Sequence, residues 1–401
     1  MENSIEKKEV TAVKQEVYFD NSATTRTRSE VIKVMVDVMD KYYGNPSSLH
    51  KKGIEAEKMV REARNRVALA LHCKEDEIVF TSGGTESNNL AIKGAAYSSR
   101  RRGNHIITTA IEHPSVLNTV KQLEEQGFYT DYLKVDKNGI IDLEELRNKI
   151  NDKTVLVSIM MVNNEIGSVQ PIKDAVMIAK KLNPGIIFHV DAVQAFGKLD
   201  INLNELDIDL LSISAHKIYG PKGIGALFIR RGVKIKPLFG GGGQEKGLRS
   251  GTENTPGIIG LGKAVEILEK DREKASEYMN KLKVALYNGI KTNLPESILN
   301  GPEPGSEYSA PHILNISFDG IKGEVLVHFL EEYGIYVSTG SACSSRHSSS
   351  SHVLKALGVK GTKLDGAIRF SFSPYNTMEE VDYTLEKITK VVKELRTIIR
   401  R

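Results

Sequence analysis

Short apolar runs recur along the first two-thirds of the chain, at Glu77-Ile-Val-Phe80, His105-Ile-Ile-Thr108, Thr154-Val-Leu-Val-Ser-Ile159 and Ile186-Ile-Phe-His-Val190. Each has strand length, and each is apolar at consecutive rather than alternate positions, the pattern of a strand buried on both faces. Helical patterns separate them. From about residue 30 to 260 this alternation predicts an α/β architecture with a mainly parallel sheet covered on both faces.

At 401 residues the chain exceeds what one hydrophobic core usually serves, so two domains are expected. Pro256 to Pro295 reads as a long helical connection, and Pro302-Glu-Pro-Gly305 as a loop. A smaller α/β unit follows: strand His312-Ile-Leu-Asn-Ile-Ser-Phe318, helix Glu324 to Tyr333, a serine-rich loop, strand Ala367-Ile-Arg-Phe-Ser-Phe372 and a final helix. That helix opens on Thr377-Met-Glu-Glu380, a capping-box pattern, and Val381, Leu385, Ile388, Val391, Val392 and Leu395 mark one buried face. The expected division is an N-terminal extension over 1–16, a large domain over 17–260 and a small C-terminal domain over 261–401.

A net charge of +4 with 26% charged residues makes no case for nucleic-acid binding. Arg100-Arg-Arg102 is the one compact basic run, and a solvated helix end is the reading it supports. Two cysteines exclude a disulfide framework and suit a reducing compartment. Cys73 has no ligand-spaced partner, so it is expected to pack at a helix end, and no metal site is expected. The first residues lack the apolar core of a signal peptide, and no apolar run approaches membrane-spanning length. A cytoplasmic enzyme is the expectation.

Several strand ends carry chemistry. Lys217 closes the run Leu210-Leu-Ser-Ile-Ser-Ala-His-Lys217, where partial desolvation favours the neutral amine that forms a Schiff base with an aldehyde cofactor such as pyridoxal 5'-phosphate (PLP). Asp191 ends the strand before it. A carboxylate there can keep a pyridine nitrogen protonated, or it can cap the next helix. Thr81-Ser-Gly-Gly-Thr85 supplies a glycine turn and a helix start, with Gly84 and Thr85 suited to an anion or to an ordinary turn. His113 precedes a helix; it can stack on a planar ring and move protons, or simply occupy a helix entry.

Together these motifs resemble the cysteine desulfurases of the NifS/IscS type, within the class V aminotransferase branch of fold-type I PLP enzymes. The resemblance runs through Tyr18-Phe-Asp-Asn-Ser-Ala-Thr-Thr25, Tyr43-Gly-Asn-Pro-Ser-Ser48, Thr81-Ser-Gly-Gly-Thr-Glu-Ser87, Val162-Asn-Asn-Glu-Ile-Gly167, His189-Val-Asp-Ala192, Ser214-Ala-His-Lys-Ile-Tyr-Gly-Pro-Lys-Gly223, Arg249-Ser-Gly-Thr252, Ser338-Thr-Gly-Ser-Ala-Cys343 and Ile368-Arg-Phe-Ser371. It implies a large domain with a seven-stranded sheet, a smaller C-terminal domain against which the first ordered residues pack, and a homodimer. Lys217 is then the Schiff-base lysine, Asp191 the pyridine-nitrogen partner, Gln194 the donor to the ring hydroxyl and His113 the stacking group. Gly84, Thr85, Ser214 and His216 would hold the phosphate, with Thr252 reaching it from the other subunit. Asn164 and Arg369 would take the substrate carboxylate.

Cys343 distinguishes a desulfurase from an aminotransferase, because transamination needs no thiol nucleophile. Its surroundings, Ser338-Thr-Gly-Ser-Ala-Cys-Ser-Ser-Arg-His-Ser-Ser-Ser-Ser351, are small and polar with no apolar period, the composition of an exposed loop. Arg346 and His347 would favour the thiolate. The resemblance thus implies conversion of L-cysteine to L-alanine with a persulfide on Cys343, passed to an iron–sulfur scaffold protein or a tRNA-thiolation enzyme. The serine-rich loop departs from the family pattern, which leaves the acceptor open. Selenocysteine lyase, class V transaminase and, outside catalysis, a docking platform for a sulfur carrier are the alternatives.

Overall fold

The computed structural model describes residues 16–339 and 350–399. Cys343, Arg346, His347 and most of the N-terminal extension lie outside the described residues. Twelve strands are present among the described residues: β1 (Val17–Tyr18), β2 (Ile78–Thr81), β3 (His105–Thr109), β4 (Tyr129–Leu133), β5 (Thr154–Met160), β6 (Ile187–Asp191), β7 (Leu210–Ser214), β8 (Gly225–Ile229), β9 (Ile298–Leu299), β10 (Ile313–Ser317), β11 (Ile335–Tyr336) and β12 (Ala367–Ser371). Seven of them form the central sheet in the order β2-β8-β7-β6-β5-β3-β4. Within it only β8 runs against its neighbours, β2 and β7. The expected mainly parallel sheet is therefore present.

Consecutive apolar residues on these strands serve opposite cores. In β2, Ile78 and Phe80 join one cluster while Val79 joins the cluster on the other face. In β8, Ala226 and Phe228 face one way, and Leu227 and Ile229 the other. Burying one such Phe or Leu side chain contributes about 1.5–3 kcal/mol, so the two-sided pattern itself drives helices onto both faces. Helices Lys51–Ala70 and Thr255–Glu269 pack on one face, and Gly84–Ser99 with Pro114–Glu124 on the other.

A second core gathers Leu314, Ile316 and Phe318 around β10 with Ile368 and Phe370 of β12, and takes in Val17 and Phe19 from the other end of the chain. There β1 pairs in parallel with β11. The final helix, Met378–Ile399, opens with the capping box anticipated from Thr377: Thr377 N donates to Glu380 Oε2 at 3.1 Å, and Glu380 N donates to Thr377 Oγ1 at 3.2 Å. Its residues Val381, Ile388, Val391, Val392 and Leu395 are buried. The long helical connection expected over 256–295 is made of two helices, Thr255–Glu269 and Arg272–Asn293, separated at Lys270 and Asp271. Cys73 packs partly buried against the core that follows its helix, and burial pushes its thiol up to about 12, with the Glu77 charge adding.

Because β2, β3, β5, β6 and β7 point the same way, their carboxyl ends share one edge of the sheet. Ligands of open α/β sheets bind at that edge. Among the described residues no helix is long and apolar enough to cross a membrane, and no group of His, Cys, Asp and Glu is arranged to hold a metal ion.

Candidate active site

A cavity of about 740 Å³ opens at this carboxyl edge. Its walls carry Lys217, Asp191, Gln194, His113, Gly84, Thr85, Ser214, His216, Asn164 and Arg369, brought together from six separate stretches of chain. Thr252 is exposed and does not line the cavity. Cys343 lies outside the described residues, but Ser350, Ser351 and His352 on its C-terminal side do line it. On the other side, Ser338 and Arg369 exchange two backbone hydrogen bonds, of 2.7 and 3.2 Å.

Lys217 ends a single helical turn, Ala215–Lys217, directly after β7. Two residues later Tyr219 adopts φ 64°, which is costly for a bulky residue, and its N–H is held by Thr25 Oγ1 at 2.8 Å. The segment Ser22–Thr25 thus clamps this turn. Lys217 Nζ donates to the carbonyls of Ser22 and of Ala23, the latter at 2.8 Å. Behind it, Lys198 Nζ donates to Lys217 O at 2.6 Å, and burial followed by the charge of Lys217 lowers the Lys198 ammonium to about 7.

Asp191 is the last residue of β6. Its Oδ1 accepts from Val193 N at 3.0 Å in a turn, with no helix starting there for it to cap as its alternative reading had it, and its Oδ2 accepts from Asn88 Nδ2 at 2.7 Å. Gln194 Nε2 donates to Ser22 O at 3.0 Å. The helix Gly84–Ser99 starts at the cavity from Gly83 at φ 150°, a backbone conformation open to glycine. A Cβ on Gly84 would sit 2.7 Å from Val193 Cγ2, so only glycine leaves this cradle clear. Ser214 Oγ is buried beside it with no hydrogen-bond partner among the described residues. Burial, with Lys217, Lys222 and Lys198 adding, lowers His216 to about 4, so its ring is neutral near pH 7.

These observations fit PLP. First-turn N–H groups, a glycine cradle and an unpartnered hydroxyl suit its phosphate. A carboxylate on one wall and a lysine on another suit its ring nitrogen and its aldehyde.

His113 caps the helix Pro114–Glu124 as well as lining the cavity: Ser115 N donates to its Nδ1 at 3.1 Å. Its alternative reading as a helix-entry residue is thus met. Burial, with the Lys217 and His352 charges adding and Asp191 opposing, pulls its pKa below that of a free imidazole. Arg369, nearly fully buried, donates from Nη1 to Asn164 O at 2.9 Å and from Nη2 to Asp20 Oδ1 at 2.7 Å.

Several residues at the site had no reading from the sequence. Asp20 holds Arg369, and Glu165 Oε2 accepts from Ser351 Oγ at 2.5 Å. His352 Nε2 lies 2.9 Å from Glu112 O. Asn88 links Asp191 to Ser115 and leaves its own Oδ1 buried without a partner among the described residues, a cost of about 1–3 kcal/mol. Asp20 and Asn88 both fall within or next to motifs already quoted, and that adjacency was the only available signal.

Glu112 is fully buried, its Oε1 accepting from Thr109 Oγ1 and Met160 N. Burial, with Asp191 adding, pushes its carboxyl up to about 8. Relative to a chain-like value of 4.5, the folded state binds the extra proton between about pH 4.5 and 8, so Glu112 subtracts stability as pH rises through that window. Glu112→Gln keeps a neutral acceptor there. Its stability advantage over the parent should widen by on the order of 1 kcal/mol per pH unit across that window, read as melting temperatures from pH 5 to 8. A pH-independent difference would show that the Glu112 charge is not being excluded.

The aminotransferase class-V family model matches residues 17–384. A cysteine desulfurase IscS of Clostridium botulinum is 48% identical over 382 residues, 95% of this chain and 96% of that protein. The chain belongs to the class-V aminotransferases, in their cysteine desulfurase branch. A solved NifS-like protein superposes with a TM-score of 0.89 at 45% identity, over 94% of this chain and all of the other. Another solved relative, described as SspA in complex with cysteine, does so with a TM-score of 0.77 at 37% identity, over 90% of this chain and all of that one. The mainly parallel sheet is the one expected from the strand pattern, and the class-V fold with its seven-stranded sheet is the one the resemblance implied.

Proposed function

We propose that this chain is a PLP-dependent cysteine desulfurase, a homodimer that converts L-cysteine to L-alanine and leaves the removed sulfur as a persulfide on Cys343. The observation that carries the reading is the convergence of Lys217, Asp191, His113, Ser214 and Arg369 on one cavity, in a chain close to half identical to curated desulfurases.

PLP, when bound, supplies an electron sink for negative charge at the substrate's α-carbon. Gly84, Thr85, Ser214 and His216 would hold its phosphate, Asp191 its ring nitrogen, Gln194 its ring hydroxyl and Lys217 its aldehyde carbon. Arg369, desolvated and pre-oriented by Asp20 and Asn164 O, pairs with the substrate carboxylate, and the Asn164 side chain on the cavity wall adds a hydrogen bond. Lys217 Nζ, released when substrate enters, carries the proton from the α-carbon. Cys343 as thiolate attacks the substrate sulfur: the new S–S bond forms as the carbon–sulfur bond breaks, and carbon keeps the electron pair and takes up a proton. Cysteine and a protein thiol thus become alanine and a protein persulfide, with no external oxidant.

A dimer is supported by the apolar side chains that helices Ser29–Lys41 and Lys51–Ala70 and their link expose, with Leu49 95%, Tyr43 71% and Ile54 58% accessible. Thr252, exposed and outside its own cavity, is available to reach a partner's phosphate. The persulfide would pass to an iron–sulfur scaffold protein or a tRNA-thiolation enzyme in a reducing cytoplasm. Purified protein supplied with PLP and L-cysteine should release alanine and acquire one sulfur atom per active site. Keto-acid formation without a sulfur adduct would instead establish a transaminase.

A further inference from the structure

We propose that Asn88 is a positioning residue of this site, using its two amide hydrogens to fix the Asp191 carboxylate and, through Ser115, to hold the His113 ring with its proton on Nε2. The proposal rests on the desulfurase reading for the roles of Asp191 and His113, and deepens it. Asn88 is 1% exposed, and its Nδ2 donates to Asp191 Oδ2 at 2.7 Å and to Ser115 Oγ at 2.9 Å. The orientation is forced, because a flipped amide would set its oxygen against the Asp191 carboxylate, acceptor against acceptor.

Ser115 Oγ receives one of these hydrogens, and its own hydroxyl hydrogen is then available to His113 Nδ1, 2.8 Å away. Ser115 N–H points at the same nitrogen from 3.1 Å. A proton on Nδ1 would face both donors, so that nitrogen keeps its lone pair and the neutral ring carries its hydrogen on Nε2. While the chain Asp191–Asn88–Ser115–His113 is intact, Nε2 can donate a hydrogen and cannot accept one. The charged and titratable groups around the ring, Asp191, Lys217 and His352, act on its protonation through space, whereas Asn88 acts through bonds and joins the Ser115 N–H in setting which nitrogen is bare. The unpartnered Asn88 Oδ1 fits a residue kept for its two donors rather than for packing.

The test is nitrogen NMR of 15N-histidine-labelled protein, with and without PLP, the His113 signals being assigned by their loss in His113→Gln. The unmodified protein should show a single Nε2–H tautomer. Ser115→Ala, in which only the backbone N–H of residue 115 still faces Nδ1, should admit a detectable Nδ1–H population beside Nε2–H, with PLP absorbance unchanged. Asn88→Ala should show the mixture and also a PLP dissociation constant raised roughly tenfold or more, because Asp191 loses a charge-assisted hydrogen bond. General loss of stability would lower the melting temperature without mixing tautomers. A pure Nε2–H ring in Ser115→Ala overturns the proposal, and so does unchanged PLP affinity in a folded Asn88→Ala; Ser115→Ala decides alone if Asn88→Ala does not fold. Failure of the parent protein to bind PLP or consume cysteine would overturn the functional reading instead, while the tautomer measurement on PLP-free protein still judges the Asn88 chain.

Discussion

Lys217→Ala should bind PLP without its visible protein-linked absorbance and should form alanine at least about a thousandfold more slowly, because the same Nζ would both anchor the cofactor and carry the α-proton. The position is over-determined: the Tyr219 backbone, the Thr25 hydroxyl and the Ser22 and Ala23 carbonyls all fix the turn that carries it. Neither neighbouring lysine is a ready substitute. Lys198 is buried behind the turn and committed to Lys217 O, and Lys121 lines the cavity from the exposed side of the helix that follows His113. Absorbance spectra with added PLP, together with alanine released from cysteine, check this directly. Parent-like colour and turnover in the variant would remove Lys217 from the chemistry.

What could be read beforehand, and what could not, divides by sequence distance. β5, β6 and β7 announce themselves because two buried faces place apolar residues at consecutive positions, and their last residues fall at the edge where ligands of open α/β sheets bind. β4 does not, because Tyr129-Thr-Asp-Tyr-Leu133 is an edge strand with one neighbour and only Leu133 fully buried. For β8, Gly225-Ala-Leu-Phe-Ile229 has the composition of a buried strand, yet composition carries no direction, and its antiparallel pairing with β7 follows from the tight turn after Lys217. The residues that support the site were illegible for a related reason. Asn88 meets Asp191 across 103 residues, and Lys217 meets Ser22 across 195, so no local period or spacing marks either contact. Their side chains are ordinary polar types whose use depends on which strand ends the topology sets side by side.

On the proposed reading, the residue that decides which reaction this scaffold runs is Cys343, since the cavity's other groups would serve other class-V chemistry as well. Cys343→Ser should keep the bound-cofactor spectrum and still change colour on adding cysteine, because neither event uses the thiol. It should lose the protein persulfide and nearly all alanine formation, a fall of at least about a hundredfold, since a serine hydroxyl is not ionised near neutral pH and attacks sulfur poorly. Position favours the assignment: Cys343 is five residues beyond Ser338, which is hydrogen-bonded to Arg369, and seven before Ser350, which lines the cavity. Cys73 is the internal control. It sits at a helix end against the core with its thiol pushed up to about 12, so at neutral pH it is protonated and a weak nucleophile. Cys73→Ser should therefore leave turnover within about twofold of the parent. Mass spectrometry after exposure to cysteine locates the added sulfur: an adduct on Cys73, or full alanine release by Cys343→Ser, would show that the nucleophile lies elsewhere.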